Sequence, residues 1–163
     1  MKVRKLEIKD APLMLEWMHD TDITEHLAAD FASKTIEDAE SFITSAQDAA
    51  EDLHMAVVDD DDEYMGTVSL KRIDRKAGDA ELGIAVRRCA MGKGFSWFGM
   101  KKIIELGLDE LGLKKIYWCV SRDNVRACRF YDKHGFPEDT AIREEILARY
   151  GNDSSLKWYA VTR

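Results

Sequence analysis

Prolines number two and cysteines three in this 163-residue chain, and no apolar run approaches the roughly 18 residues that a membrane helix needs. With no Gly/Ser-rich linker and no internal repeat, residues 1–163 are expected to form one domain. Cys89, Cys119 and Cys128 are odd in number and lack metal-ligand spacing, so the sequence predicts packing thiols in a reducing compartment. Lys2, Arg4 and Lys5 are followed by no apolar stretch, which reads as no secretory signal and a cytoplasmic address. His19, His26, His54 and His134 are too scattered for a metal pattern, and a Ser/His/Asp triad cannot be told from chance. No metal is expected.

What is present suits a soluble, core-forming chain: 45% hydrophobic and 34% charged residues, with a net charge of -7. The charge is unevenly placed. Residues 1–80 hold 9 Lys/Arg against 20 Asp/Glu, whereas residues 81–163 hold 15 against 11. A basic half suits an anionic ligand and an acidic half a cationic one. The run Asp59-Asp60-Asp61-Asp62-Glu63 lies between two strand-like segments and reads as a solvated hairpin turn. Overall acidity disfavours nucleic acid, so the local basic set of Lys114, Lys115, Arg122, Arg126 and Arg129 is assigned to cofactor phosphates or to water.

Periodicity predicts strands at 2–8, 53–58, 64–73, 79–87, 114–120, 140–149 and 156–162. Helices are predicted at 10–19, 35–49, 94–110 and 124–133, with a short helix or loop at 21–29. This order gives an α/β fold with a mixed sheet and helices on its faces.

The most informative stretch is Val86-Arg87-Arg88-Cys89-Ala90-Met91-Gly92-Lys93-Gly94-Phe95-Ser96, which joins a strand to a helix through two glycines and a lysine. Helix N-termini present N–H groups without intrahelical partners and the positive end of the dipole, so anions bind there. A Walker loop is excluded, because Arg87 stands where its first glycine belongs and neither Ser nor Thr follows Lys93. The dinucleotide fingerprint fails at Trp97, where it needs a third glycine.

About thirty residues on, a strand leads through Asn124, Ala127, Phe130-Tyr131 and Lys133 to Gly135-Phe136. Together the two segments resemble the cofactor site of the GNAT superfamily of acetyl-CoA-dependent N-acetyltransferases. The family loop reads Val-x-x-x-x-Arg/Gln-Gly-x-Gly-x-Gly/Ala. Val86, Gly92, Gly94 and Ser96 fall in register, with Met91 in the Arg/Gln place and Ser96 in the Gly/Ala place. Residues 80–136 carry the resemblance. Residues 1–79 follow it in outline, and are similar to the branch holding the ribosomal-protein N-terminal and spermidine acetyltransferases.

The resemblance implies a single GNAT-type domain in which the strands at 79–87 and 114–120 splay apart to admit the pantetheine. Backbone groups of Ile84, Ala85 and Val86 would pair with it, and an N–H at Ile84 or Val86 would meet the oxyanion. Met91, through its backbone N–H, would join Gly92, Lys93, Gly94, Phe95 and Ser96 around the pyrophosphate, with Asn124, Ala127 and Lys133 completing the cofactor site. Tyr131 matches the general acid that protonates the departing thiolate; otherwise it is a core tyrosine. Glu81 is the expected base, or else a paired glutamate. Asn124 would hydrogen-bond the cofactor, cap its helix, or do both. Cys119 falls near the implied channel, where a reactive thiol is the alternative to packing.

The implied activity is direct transfer of the acetyl group of acetyl-CoA to a primary amine. A polyamine, a protein N-terminus and an amino sugar are all open as acceptor. A non-catalytic acyl-CoA sensor is the alternative of another class. Neither nucleic acid nor membrane is expected as partner, and a homodimer through the closing strand is compatible with the sequence.

Overall fold

The computed structural model describes residues 1–27 and 29–163; residue 28, inside the expected 21–29 stretch, lies outside the described residues. In chain order the elements are β1 (Lys2–Lys5), α1 (Ala11–Met18), α2 (Thr21–Thr24), α3 (Ile36–Ala46), β2 (Leu53–Val58), β3 (Tyr64–Asp74) and β4 (Asp79–Val86). There follow α4 (Phe95–Glu105), β5 (Lys115–Ser121), α5 (Val125–Lys133), α6 (Glu144–Arg149) and β6 (Leu156–Thr162). The six strands form one mixed sheet in chain order, antiparallel throughout except for the parallel pair β4 and β5.

Side-chain alternation sorts the sheet into two faces. Val57, Val68, Leu70, Leu82, Ile116 and Trp118 pack under α4 and α5, against Phe95, Met100, Ile103 and Tyr131. Ala56, Val58 and Tyr64 pack on the other face with Met14 and Trp17 of α1 and Ile43 of α3. Further along that second face, Tyr117, Trp158 and Ala160 receive Ile146 of α6. Close approach of α4 to the sheet needs Gly99, where a Cβ would lie 2.6 Å from Val57 Cγ2.

Two expectations differ from the structure. Residues 140–149 were predicted as strand, but Glu144–Arg149 is helical. Ile142, Ile146 and Tyr150 recur at helical spacing, acidic residues open the segment, and Leu, Ala and Arg favour helix, so period 3.6 wins over period 2. The first strand stops at Lys5 because Asp10 folds back, taking hydrogen bonds from the Glu7 N–H and both Arg4 terminal nitrogens, which makes Ile8–Asp10 a 3₁₀ turn. β6 is an edge strand whose outer side is partly engaged. Asp139 N–H donates to Trp158 O and Ala160 N–H to Pro137 O, so part of that outer side is taken up within the chain.

The acidic run is the β2–β3 turn, closed by Asp59 accepting from the N–H groups of Asp61 and Glu63. Its Asp62 also meets Lys2 and Arg4, each at 3.0 Å.

Candidate active site

Register decides where the sheet opens. β4 and β5 pair only through Asp79↔Lys115, Ala80↔Ile116 and Glu81↔Tyr117, after which no pairing continues although β4 runs on to Val86 and β5 to Ser121. On its other side β4 stays in unbroken antiparallel register with β3 from Glu81 to Val86. Arg87 N–H donates to Met65 O across that ladder at 2.9 Å. By the alternation of an antiparallel pair, Ala85 and Gly83 also point their N–H groups at β3, so Ile84 and Val86 point theirs away, into the gap left by β5. Those two half-pairs of a ladder can bind an amide-bearing chain much as a strand would.

Val86 leads into the loop. Gly92 and Gly94 have φ of 72° and 88°, the left-handed region that β-carbon sterics disfavour, and Gly94 is the residue from which α4 starts. The first backbone bond of the helix is Phe98 N–H to Gly94 O. Among the described residues, the N–H groups of Gly92, Gly94, Phe95, Ser96 and Trp97 therefore donate to no protein acceptor, and they gather at the positive end of α4. Met91 differs from expectation: its N–H donates to Arg88 O within a 3₁₀ turn over Arg88–Ala90, and its Sδ receives Arg126 Nη1 at 3.3 Å. Lys93 N–H likewise turns back to Ala90 O. The cradle is thus made by the glycines and the first turn, and Lys93 stands exposed beside them.

Opposite the loop, α5 begins at Asn124, whose Oδ1 accepts from Ala127 N–H at 3.1 Å. This cap leaves the Asn124 Nδ2 group without a protein partner among the described residues. Lys133 is exposed near the end of the same helix, and Ala127 is half-buried one turn in. The helix stops at Gly135, with φ of 73°, and Phe136 N–H reaches back to Tyr131 O, the C-cap expected there. Trp97 of α4 stacks on His134 at 4.3 Å between ring centroids, fixing the two helices to one another.

Tyr131 is 8% exposed and lies among Trp118, Phe130, Phe136 and Tyr159. Burial among these rings holds its phenol protonated, well above the usual tyrosine range. Among the described residues its hydroxyl makes no protein hydrogen bond, yet it is not one of the fully buried unpartnered oxygens. It is a neutral acid with its proton uncommitted.

Glu81 lies on the opposite face from Tyr131, since it alternates with Leu82 of the α4-facing core. It is 3% exposed. Oε1 accepts from Lys71 Nζ at 3.1 Å and from the Tyr150 hydroxyl; Oε2 accepts from Arg72 Nη1 at 2.7 Å. Burial pushes its pKa up, but the Tyr150 hydrogen bond and the Lys71 and Arg72 charges outweigh it, and the net direction is down. Sequence reasoning missed all three partners. Lys71 is found only through register, as the cross-strand neighbour of Glu81. Successive strand residues should face opposite sides, yet Lys71 and Arg72 reach one carboxylate. A register break between Lys71 and Asp74, with Arg72 at φ 50°, turns the second side chain round. Tyr150 arrives just beyond α6, the segment misread as strand.

Cys119 sits on this same face, and burial pushes its thiol up to about 12, so it is protonated at neutral pH. Burial thus disfavours the thiolate that a reactive cysteine needs. Arg87 and Arg88 tie the loop to the N-terminal helices and to the β2–β3 turn: Arg87 pairs with Glu16 of α1 and Glu63 of the turn, and Arg88 with Asp20 and Asp22. Arg122 pairs with Glu138 rather than facing the loop.

Among the described residues no three His, Cys, Asp or Glu side chains converge as a metal site, and no helix is long and apolar enough to cross a membrane.

Comparison with known proteins places this geometry. The family model described as an acetyltransferase (GNAT) domain matches residues 1–137. The chain is 25% identical over 154 residues to an uncharacterized N-acetyltransferase, p20, of Bacillus licheniformis, covering 91% of this chain and 85% of that protein. It is 31% identical over 91 residues to the spermidine N(1)-acetyltransferase of Escherichia coli K12, a match spanning 56% of this chain and 49% of the relative. A crystal structure of spermidine N-acetyltransferase from Vibrio cholerae, in complex with CoA and spermine, superposes with a TM-score of 0.82 at 20% identity, covering 99% of this chain and 94% of that one. That likeness is one of fold.

Proposed function

The chain belongs to the GNAT acetyltransferases, enzymes that take acetyl-CoA as co-substrate, and from that premise we propose that it moves the acetyl group directly to a small primary amine held on the Glu81 face of the sheet. One observation carries the reading. The N–H groups of Ile84 and Val86 on the open strand, and those of Gly92, Gly94 and the first turn of α4, form two separate donor sets along one path. The first suits amides and the second a pyrophosphate, the two polar parts of coenzyme A.

In this proposal Lys93 and Lys133 add charge beside the phosphates, the Asn124 amide donates to the cofactor, and the small Ala127 admits it next to α5. Met91 contributes its side chain's packing, its N–H being committed to Arg88. When bound, acetyl-CoA supplies the activated acyl group. Ile84 or Val86 N–H receives the acyl oxygen as negative charge develops on it. Tyr131 holds the proton offered to the departing sulfur; burial makes its phenol a weaker acid than a thiol of pKa about 8.5, so it keeps its proton until the C–S bond breaks and then stabilises the forming thiolate by donating to it.

Magnitudes restrict the base. At pH 7 a free amine of pKa about 10.4 costs about 4–5 kcal/mol to hold neutral, whereas full proton transfer to an ordinary glutamate near 4.3 costs about 8 kcal/mol. Glu81, lowered further by Lys71, Arg72 and Tyr150, is the poorer acceptor. We assign Glu81 to orienting the amine's N–H groups, and assign the proton to another route. Lys71, a like charge on the same face, favours the neutral amine.

Relatives named for spermidine make polyamines the first acceptors to test, with amino sugars and peptide N-termini as rivals. The test is thermal unfolding with and without acetyl-CoA, followed by thiol release across that amine panel. A raised midpoint with thiol release on one class is the expected outcome. A raised midpoint with no release on any amine supports the acyl-CoA sensor, and no shift at saturating acetyl-CoA overturns the reading.

A further inference from the structure

Asp52 and His54, two residues apart, meet Ser69 of the next strand on the Glu81 face. His54 of β2 and Ser69 of β3 are cross-strand partners, and His54 Nδ1 lies 2.7 Å from Ser69 Oγ. Asp52 Oδ2 lies 3.8 Å from His54 Nε2, too long for a hydrogen bond but close enough to favour an N–H on that nitrogen. The β4 neighbour of Ser69 is Gly83, which lies within the stretch of β4 that β5 no longer covers. Gly83 puts no side chain of its own between Ser69 and the opening; the end of Lys71 lies across it, with Cε and Nζ 3.2 and 3.6 Å from where a Cβ would stand, and Ser69 is buried beneath that flexible side chain. Helix α3 closes the far side with Phe42, whose ring meets the imidazole edge-on at 4.8 Å.

We propose that His54, acting through the Ser69 hydroxyl, takes the proton that the acceptor amine must lose. The proposal rests on the amine-acetylation reading above and supplies the route that Glu81 does not. In the step, the ammonium N–H gives its proton to Ser69 Oγ while the Ser69 hydroxyl proton passes to His54 Nδ1. The amine becomes neutral, the serine is regenerated and the imidazolium is balanced by Asp52. The amine's second proton passes to solvent water as the new C–N bond forms, the Tyr131 proton goes to the sulfur, and the resulting tyrosinate regains a proton from solvent, so the net product is one proton released from the ammonium. Ser69 is the group that touches the amine, and His54 acts through it.

The groups facing the imidazole are Asp52, Ser69 and Lys71, with Phe42 apolar above it. Burial and the Lys71 charge lower the His54 pKa and Asp52 opposes them, so the ring is neutral at pH 7 and able to accept. An ordinary imidazole lies about 4 pKa units below an amine, against about 6 for an ordinary glutamate; both His54 and Glu81 are lowered from those values, and the imidazole starts as the stronger base of the two.

The test has two arms on the full chain. Imidazole nitrogen shifts followed by NMR against pH should show His54 neutral at pH 7, carrying its proton on Nε2 and titrating below 6.5. A ring protonated at pH 7, or carrying its proton on Nδ1, overturns the proposal whether or not an acceptor amine has been found. With the amine that the panel identifies, kcat/KM of the wild type should fall below one acid inflection. His54→Gln, which can keep the bond to Ser69, should lose that inflection and about 10²-fold or more in kcat. Ser69→Ala should do the same, while the acetyl-CoA-induced rise in unfolding midpoint survives in both variants. Retention of the inflection and of kcat within threefold in His54→Gln overturns the role. Failure of the wild type on every amine instead counts against the amine-acetylation reading.

Discussion

Glu81 and Tyr117 form the last paired step between β4 and β5, and from that step onward the two strands part. The same residue that ends the pairing carries a carboxylate locked by Lys71, Arg72 and Tyr150, so the apex of the opening is electrostatically fixed. Rigid support of this kind holds a site's geometry against the pull of its ligands.

Removing that lock should weaken the fold in a pH-dependent way. The folded-state pKa of Glu81 is lowered, so its contribution is fully present above the ordinary glutamate value and is lost as pH falls through the folded one. Glu81→Gln should lower the unfolding midpoint at pH 7 by an amount equivalent to about 1–3 kcal/mol. The gap between variant and wild type should close as pH falls below about 4.5. Denaturation midpoints at pH 7 and pH 3.5 measure both.

Gly92→Ala and Gly94→Ala test the cradle. Each puts a Cβ on a residue at strongly positive φ, at a cost of about 1–2 kcal/mol. A Cβ at Gly92 meets no protein atom within 4 Å, so any loss beyond that strain reports on the ligand. Calorimetry with coenzyme A should show weaker binding in both variants, with Gly94→Ala also disturbing the start of α4.

Tyr131→Phe should reduce kcat by about 10²–10⁴-fold with little change in the KM for acetyl-CoA. Its hydroxyl has no protein hydrogen bond among the described residues, so the variant should keep the wild-type unfolding midpoint within a degree or two. A large fall in midpoint would reveal a structural phenol instead.

The thiols should respond unequally to iodoacetamide at pH 7.5. Cys89 is exposed, whereas Cys119 is half-buried and raised to about 12. Peptide mapping by mass spectrometry should find alkylation at Cys89 in the native protein, and at Cys119 only after denaturation.

Gly99→Ala should destabilise without touching the site. Its Cβ would come within 2.6 Å of Val57 Cγ2, forcing α4 off the sheet at about 1–3 kcal/mol, measurable as a shift in urea midpoint at unchanged slope.

Much of this molecule was decided locally. Glycines at 92 and 94 between a strand and an amphipathic helix specify a turn with free N–H donors because positive φ and unpaired first-turn N–H groups are properties of a few consecutive residues. The Asn124 cap, the Gly135 stop and the alternation of β2 to β5 are local in the same sense, and the resemblance to GNAT enzymes rests on them. The sequence alone thus determined the fold class, the starts of α1, α3, α4 and α5, and the placing of Tyr131 beyond Asn124. What it left open depends on strand register and on packing between distant segments. The parity that aims Ile84 and Val86 into the gap is fixed by a bond from Arg87 to Met65. The three groups around Glu81 come from a bulged strand and a C-terminal turn 69 residues away. The approach of Asp52 and His54 to Ser69 exists only because β2 and β3 pair in one register, since a slip of one residue would send Ser69 to the other face.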